Sequence, residues 1–444
     1  MEWTRYSYFE ALPTKGNILS TINYTSDIPK WVKVLDDLAG EANQVCHFSR
    51  RKRNLDAAVF VKLLVWGWFA QPKSSLNQLA ALGSHLGQDI TAQAIDERLN
   101  SSAVMLLMQV LEGVLHQQVF IPSLPSQRLR HFNGIYITDS TQFRLPSTLN
   151  FLFAGQGGGS QVKVQLCLEY LSGCVSALEL EAGRTPDQKC LLPIKHGQAG
   201  SLHLFDLGYF KQDHLEWLSQ QQAFYVTRYQ SQTAIYDTQT GERIDVLKWL
   251  RATHTQDAEI NVTLGARIHT SVRLIVHRLP CKVAAARRRK AKRKARNDGK
   301  TCSSAHLSLQ GWDLYLTNLP AEWTSQDIQN LYKLRWQIEL IFRTWKSQLR
   351  LAHFGPWRIE RVLCQLYAHL IGCVLAHALT AHWRCREGVE YSPVKLLQLL
   401  QHYFLIIWYE TIWHFSFCLE DAFKRFARKD KRKKAPSSLF AFMD

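Results

Sequence analysis

Apolar residues recur at helical spacing through the first 125 residues. They do so in "WVKVLDDLAG" (31–40), "LDAAVFVKLLVWGWFA" (55–70) and "AVMLLMQVLEGVLHQQVF" (103–120), where positions three and four apart share a face. Between the last two lies "SSLNQLAALGSHLGQDITAQAIDERL" (74–99). Ser74 or Ser75 suits the cap of a short helix, Gly83 and Gly87 break the chain, and a second short helix starts from Thr91. The pattern is helix-turn-helix-like, and it equally describes an ordinary packed helical pair.

From Asn133 the period shortens. "GIYITDSTQFRLP" (134–146), "KVQLCLEYL" (163–171), "CVSALELEA" (174–182) and "SLHLFDLGYF" (201–210) read as strands. "FAGQGGGSQ" (153–161) lacks the trailing G-K-[ST] of a phosphate loop and reads as a flexible loop. A helix, "KQDHLEWLSQQQ" (211–222), precedes a fifth strand, "AFYVTRY" (223–229). Strands and helices in this order predict a mixed α/β sheet.

Residues 229–318 interrupt the alternation. "AIYDTQTGERIDV", "VRLIVHRLP" and "HLSLQGWDLYLTNLP" read as strands around "RRRKAKRKAR" (287–296), which holds eight cations in ten residues. One long helix, "SQDIQNLYKLRWQIELIFRTWKSQL" (325–349), follows from a cap at Thr324 or Ser325. Helical patterns continue to about residue 418, and the tail from Lys424 to Lys434 carries eight more cations. The expected division is a helical, DNA-binding N-terminal domain (1–125), a first part of an α/β core (126–228), a β-rich insertion with a basic arm (229–318), a core helix (319–355) and a helical C-terminal region with a basic tail (356–444).

Charge narrows the partner. Across 444 residues, 54 Lys and Arg against 37 Asp and Glu give a net charge of +17, which favours a polyanion. Double-stranded DNA is expected over a membrane, because no run of about 18 apolar residues is evident. "LIGCVLAHALTAHW" (370–383) is short, carries His377 and His382, and reads as a buried helix. The helical pair at 74–99, with Lys73 and "SRRKR" (49–53) near phosphates, becomes a candidate DNA-end-binding module. The N-terminus lacks a basic-then-apolar design, so a cytoplasmic protein is expected. The ten cysteines form no C-x-x-C pair and read as reduced core thiols.

Three acids stand out. Asp139 closes the β-branched and aromatic run Ile135–Thr138, and Asp206 follows "SLHLF". Strand ends present side chains at a crevice, although turn or cap roles explain single Asp residues equally well. On the long helix, Tyr332, Arg335, Glu339, Phe342 and Lys346 share one face, and Leu334, Ile338, Ile341 and Trp345 share another that suits packing. Glu339 is then either one half of an i,i+4 pair with Arg335, contributing about 0.3–0.5 kcal/mol, or a metal ligand among phosphate-holding cations. Oxygen-only ligands suit Mg²⁺, and two such ions are enough to activate and stabilise the oxygens of a phosphodiester displacement.

The spacing Tyr332-x2-Arg335-x3-Glu339-x6-Lys346 resembles the Y-R-E-K signature of bacterial DDE insertion-sequence transposases of the insertion-sequence-four family. "YITDSTQFRLP" and "LHLFDLGYFKQDHLEWL" resemble that family's first-Asp and second-Asp motifs, in the same order. The resemblance implies an RNase H-like core in which Asp139, Asp206 and Glu339 hold two Mg²⁺ ions, with Mn²⁺ as a substitute. It places Tyr332, Arg335 and Lys346 on phosphates near the transposon end. It makes Trp312 the insertion-domain aromatic that stacks on a flipped base, a position that also reads as strand core. Arg287, Arg288, Arg289 and Lys290 would run along DNA, or belong to a solvated disordered arm. The implied chemistry is cut-and-paste: cleavage at the element ends, a hairpin intermediate, and joining of the freed 3′-OH to target DNA by a homodimer associated with the bacterial nucleoid, with the C-terminal helices as a dimer contact. An inactive or regulatory DNA-binding relative, or an RNase H-like nuclease without strand transfer, are the alternatives.

Overall fold

A computed structural model of the protein describes residues 28–409, apart from 50–54, 86–87, 117–127, 266–269, 349, 351–353, 384 and 387–388, together with 426–427. Arg50–Arg53, Gly87 and almost all of the basic tail lie outside these residues.

Nine strands form one sheet: β1 (Gly134–Arg144), β2 (Gln161–Glu169), β3 (Cys174–Ala182), β4 (Ser201–Phe205), β5 (Phe224–Arg228), β6 (Ile235–Asp237), β7 (Asp257–Leu264), β8 (Thr270–Arg278) and β9 (Trp312–Thr317). Their order is β3-β2-β1-β4-β5-β9-β8-β7-β6. β1 and β2 are antiparallel, as are β2 and β3, whereas β1–β4 and β4–β5 are parallel. The first five strands, with helix Gln212–Gln220 crossing between β4 and β5, make the RNase H-like core. β4 is buried along its whole length, as a central strand covered on both faces requires.

The strands at 229–318 continue this sheet, because β9 pairs antiparallel with β5. Three local readings change here. "GERIDV" leaves the strand after Asp237 and leads into helix Val246–Ala252, capped by Asp245. β7 was not anticipated: exposed positions alternate through its first half, so it lacks an apolar run. "HLSLQ" belongs to helix Ser304–Leu309, and strand begins only at Trp312.

The basic run is a helix, Cys281–Asn297, rather than a disordered arm. Ala, Arg and Lys are strong helix formers. Ala284 is buried and Arg287, Ala291 and Ala295 are half-buried, at steps of three, four and four, so a narrow stripe docks while the other cations face outward. The long helix is also divided, into Ser325–Leu334 and Trp336–Ser347. At Arg335 the bonding tightens to three-residue steps, Arg335 N–H to Tyr332 O (3.1 Å) and Ile338 N–H to Arg335 O (3.3 Å), a pattern that marks hinges and functional turns.

The flanking helices share the core that lies against the β1 face. Helix Ala57–Ala70 buries ten of its fourteen residues and packs on all sides. Helix Ile359–Trp383 packs against it and against Ser101–His116. Its segment Ile359–Ala378 is long and apolar enough to cross a bilayer by length and composition, with 78% of that window buried inside the protein. The apolar run begins upstream of Leu370, so the expectation that no such run exists needed this correction. Helices Leu76–His85 and Ala92–Arg98 form the short pair, capped by Ser75 and Thr91. Gly83 lies inside the first helix rather than ending it. Eight described cysteines are free thiols, six of them buried; Cys281 is exposed and Cys302 half-buried, against the core reading.

A capping box starts helix Ser325–Leu334: Thr324 Oγ1 accepts from Asp327 N–H, and Asp327 Oδ2 accepts from Thr324 N–H. Asp327 also pairs with Arg128 at 2.7 Å. Thr324→Ala should cost about 1 kcal/mol in urea unfolding, and Asp327→Ala more, since it removes the cap and the ion pair together. Equal losses, or none, contradict this account of the helix start.

Candidate active site

The parallel register of β1 and β4 sets Thr138 opposite Phe205. One step further along each chain, Asp139 and Asp206 stand side by side. Asp139 follows Ile135 and Ile137 on the same face of β1, both fully buried, and interrupts that buried row before Thr141 and Phe143. It lies mid-way along an eleven-residue strand, not at the strand's end as the sequence pattern implied. β1 continues as an antiparallel ribbon with β2, and that pairing extended the strand. Asp206 begins a short turn, Leu207–Tyr209, with its carbonyl accepting from Tyr209 N–H at 3.0 Å.

Helix Trp336–Ser347 buries Ile338, Ile341 and Trp345 and packs on β1. This packing brings Glu339 to Asp139. Arg335 lies between them: one guanidinium nitrogen donates to Asp139 Oδ2 at 2.7 Å, and the other donates to Glu339 Oε1. Tyr332 O–H donates to Asp206 Oδ1 at 3.0 Å. Thus Tyr332 and Arg335 join all three acids in one network. The expected i,i+4 pair exists, but the same guanidinium also spans to β1.

A cation that the sequence did not single out supports this network. Arg228, at the end of β5, lies 5.5 Å from the Tyr332 ring centroid, and Arg335 lies 5.8 Å from it. The Tyr315 and Tyr332 rings are 5.0 Å apart. A charged residue closing an apolar strand beside β4 was the available signal for Arg228. Burial opposes the charge on Arg335 and on Arg228, yet the acids and tyrosines around them raise both above the ordinary arginine value.

Burial dominates at Asp139 and pushes its carboxyl up to about 6. Arg335 and the Ser140 N–H (2.8 Å) pull it down, whereas Asp206 and Glu339 raise it further.

The remaining candidates lie apart from the acids. Lys346 is exposed in the last turn of its helix, and partial burial lowers its pKa. Trp312 opens β9, half-buried, with Arg278 5.7 Å from its ring. Arg287 pairs with Asp313 at 2.6 Å, and Arg288 Nε donates to Leu307 O at 3.1 Å. Those two cations fasten the basic helix, and Arg289 and Lys290 are exposed.

The donor set suits a hard divalent cation: three carboxylates, with no His or Cys in contact. The cleft accepts positive charge, as the guanidinium between Asp139 and Glu339 demonstrates. As they stand, no group of three or more His, Cys, Asp or Glu among the described residues is spaced to hold a metal. Arg335 stands between Asp139 and Glu339 instead.

A family model described as the transposase DDE domain matches residues 130–375, more than half of the chain. The chain belongs to this family. It is a DDE-type DNA transposase, an enzyme of a divalent-metal-dependent class. The transposase of insertion sequence element IS231F from Bacillus thuringiensis subsp. israelensis is 27% identical, over 85% of this chain and 84% of its own length. The transposase of IS1151 from Clostridium perfringens is also 27% identical, over 87% and 89%. The transposase of IS421 from Escherichia coli is 24% identical, over 80% and 94%.

Because the folded transposase raises Asp139 from 3.8 to about 6, folding favours its proton. Stability from that proton is full below about pH 3.8 and is lost as pH rises through about 6. Asp139→Asn removes the dependence. From about pH 4 to about pH 7 the variant should gain on the wild type by up to about 3 kcal/mol in chemical unfolding. Parallel pH profiles in the two proteins contradict the assignment.

Proposed function

We propose that Asp139, Asp206 and Glu339 are the catalytic acids of this transposase and hold two Mg²⁺ ions, or Mn²⁺ in their place. Bound there, the ions would supply an activated attacking oxygen and a stabilised leaving oxygen for phosphodiester cleavage and 3′-OH joining. The observation that carries the reading is the Arg335 bridge between Asp139 and Glu339, with Tyr332 on Asp206. It supports the convergence of three acids distant in sequence on one cleft.

The chain's own groups do the rest. In the DNA-free arrangement Arg335 partly offsets the charge of Asp139 and Glu339, and Tyr332 holds Asp206 by a hydrogen bond. When a phosphodiester enters, its oxygens take over these donors, so Arg335 becomes a phosphate clamp suited to bidentate contact and frees the carboxylates. Lys346, exposed at the end of the same helix, reaches a neighbouring phosphate as a point charge. Arg228 remains behind Tyr332 and keeps its ring in place. Trp312 and the outward cations of helix Cys281–Asn297 form a second DNA-contacting surface. The enzyme acts as a homodimer on the paired element ends, through a hairpin intermediate, before insertion into target DNA.

The test uses supercoiled plasmid carrying both element ends, Mg²⁺ and purified protein. Asp139→Asn, Asp206→Asn and Glu339→Gln should each lower end cleavage by more than about 100-fold, beyond what loss of an outer-shell group costs, and leave DNA binding unchanged. Arg335→Ala should weaken both binding and cleavage. Near-wild-type cleavage in any acid variant removes that residue from the site. Binding without cleavage by the wild type supports an inactive relative, and cleavage without joining of pre-cut ends supports a nuclease.

Arg289→Gln and Lys290→Gln should each weaken DNA binding at all sequences alike and reduce the salt slope by about one. An unchanged slope places the basic helix off the DNA.

A further inference from the structure

Strand alternation turns Ser140 to the opposite side of β1 from Asp139. There a polar network surrounds Asp187, a half-buried residue in the short turn Asp187–Lys189 that follows β3. Asp187 Oδ1 accepts from three donors: Lys163 Nζ at 2.7 Å, Ser140 Oγ at 3.2 Å and Gln165 Nε2 at 3.3 Å. Lys163 and Gln165 belong to β2 and are 3% and 0% exposed. Lys163 Nζ also donates to Thr185 O at 2.5 Å. Gln165 uses its other end to accept from the Tyr209 hydroxyl. Tyr209 closes the turn that Asp206 opens, and is itself buried. The neighbouring Gly208 lies so close that a Cβ there would stand 3.1 Å from Asp187 Oδ2.

We infer that Asp187 is a positioning residue, which fixes the strand carrying Asp139 and the turn carrying Asp206 relative to one another. The inference rests on the assignment of those two acids as metal-holding groups. One side of the hub reaches Ser140, whose N–H donates to Asp139 Oδ1. The other reaches Gly208 by contact and Tyr209 through Gln165. An ion pair whose lysine is buried is a poor source of stability, because desolvation offsets its attraction. What it does supply is directional bonding that packed apolar side chains lack. Lys163 also offsets the charge of Asp187. Such supporting groups matter to metal sites because they hold ligands in register.

The test compares full-length wild-type protein with Asp187→Asn, with Ser140→Ala, and with a paired Lys163→Met and Asp187→Leu variant that leaves no lone buried charge. Mn²⁺ binding to the protein–DNA-end complex is read by electron paramagnetic resonance, beside the Mg²⁺ concentration giving half-maximal cleavage. The paired variant should retain a cooperative thermal transition yet bind Mn²⁺ about 10-fold more weakly or worse, with the Mg²⁺ requirement rising in step. Asp187→Asn keeps an oxygen acceptor but leaves Lys163 without its counter-charge, and should bind Mn²⁺ at a level between the wild type and the paired variant. Ser140→Ala removes a single link and should shift Mn²⁺ binding by a smaller factor, which decides the matter if the paired variant does not fold. Wild-type Mn²⁺ affinity in the folded paired variant, or in Ser140→Ala where the pair fails to fold, overturns the inference. So does a loss of cleavage with metal affinity unchanged. Asp139→Asn is the control: if it binds Mn²⁺ as the wild type does, the acid assignment fails instead.

Discussion

Carboxylates brought close together repel, and one guanidinium makes their proximity tolerable here. Two unit charges about 4 Å apart near a protein surface interact by about 4 kcal/mol, a large share of a typical folding free energy. Arg335 meets this cost by bonding to Asp139 and Glu339 at once, while Tyr332 bonds to Asp206. Burial nonetheless pushes the Asp139 carboxyl up to about 6, with Asp206 and Glu339 adding to the rise. A cleft in this condition is primed for cations. The interruption of the long helix falls at Arg335 itself, so the bridging group lies at a turn rather than within a regular ladder.

The scaffold makes that cleft from ordinary forces. Parallel pairing of β1 with β4 sets two acids side by side. Burial of Ile338, Ile341 and Trp345 lays the third acid's helix across them. The N-terminal helices and Ile359–Trp383 contribute to the same apolar core, so the site is braced by parts of the chain that carry none of its chemistry. On the opposite face of the sheet, the polar hub at Asp187 replaces apolar packing with bonds of fixed direction. Net charge is expressed elsewhere: cations of helix Cys281–Asn297 project from a narrow docked stripe, and under the proposed function they extend the reach for DNA beyond the cleft.

Strands β1 to β5 were legible because their apolar runs are dense and well separated by turn residues. Asp139 and Asp206 stood out by following apolar runs and Glu339 by the Y-R-E-K spacing, and the fold joins the three through Tyr332 and Arg335. Other features left weaker signals, each for a physical reason. β7 exposes alternate residues and reads as polar chain. The basic run scores as disordered by charge, yet its alanines provide a contact stripe and its cations favour the helix. The break at Arg335 arises from a three-residue bonding step that helical periodicity does not reveal. Arg228 and Asp187 owe their importance to partners across the sheet, and only register and packing bring those partners together. The exposed Cys281 shows the limit of inferring burial from composition.

The central claim is that Asp139, Asp206 and Glu339 hold metal once Arg335 has turned to DNA. The most direct measurement is anomalous diffraction from crystals of the protein bound to a pre-cut element end and soaked in Mn²⁺. The account predicts two manganese peaks bounded by oxygens of these three residues, with the Arg335 guanidinium moved from between Asp139 and Glu339 onto a phosphate. Manganese held by other residues, or a DNA complex in which Arg335 still bridges the two acids, contradicts it.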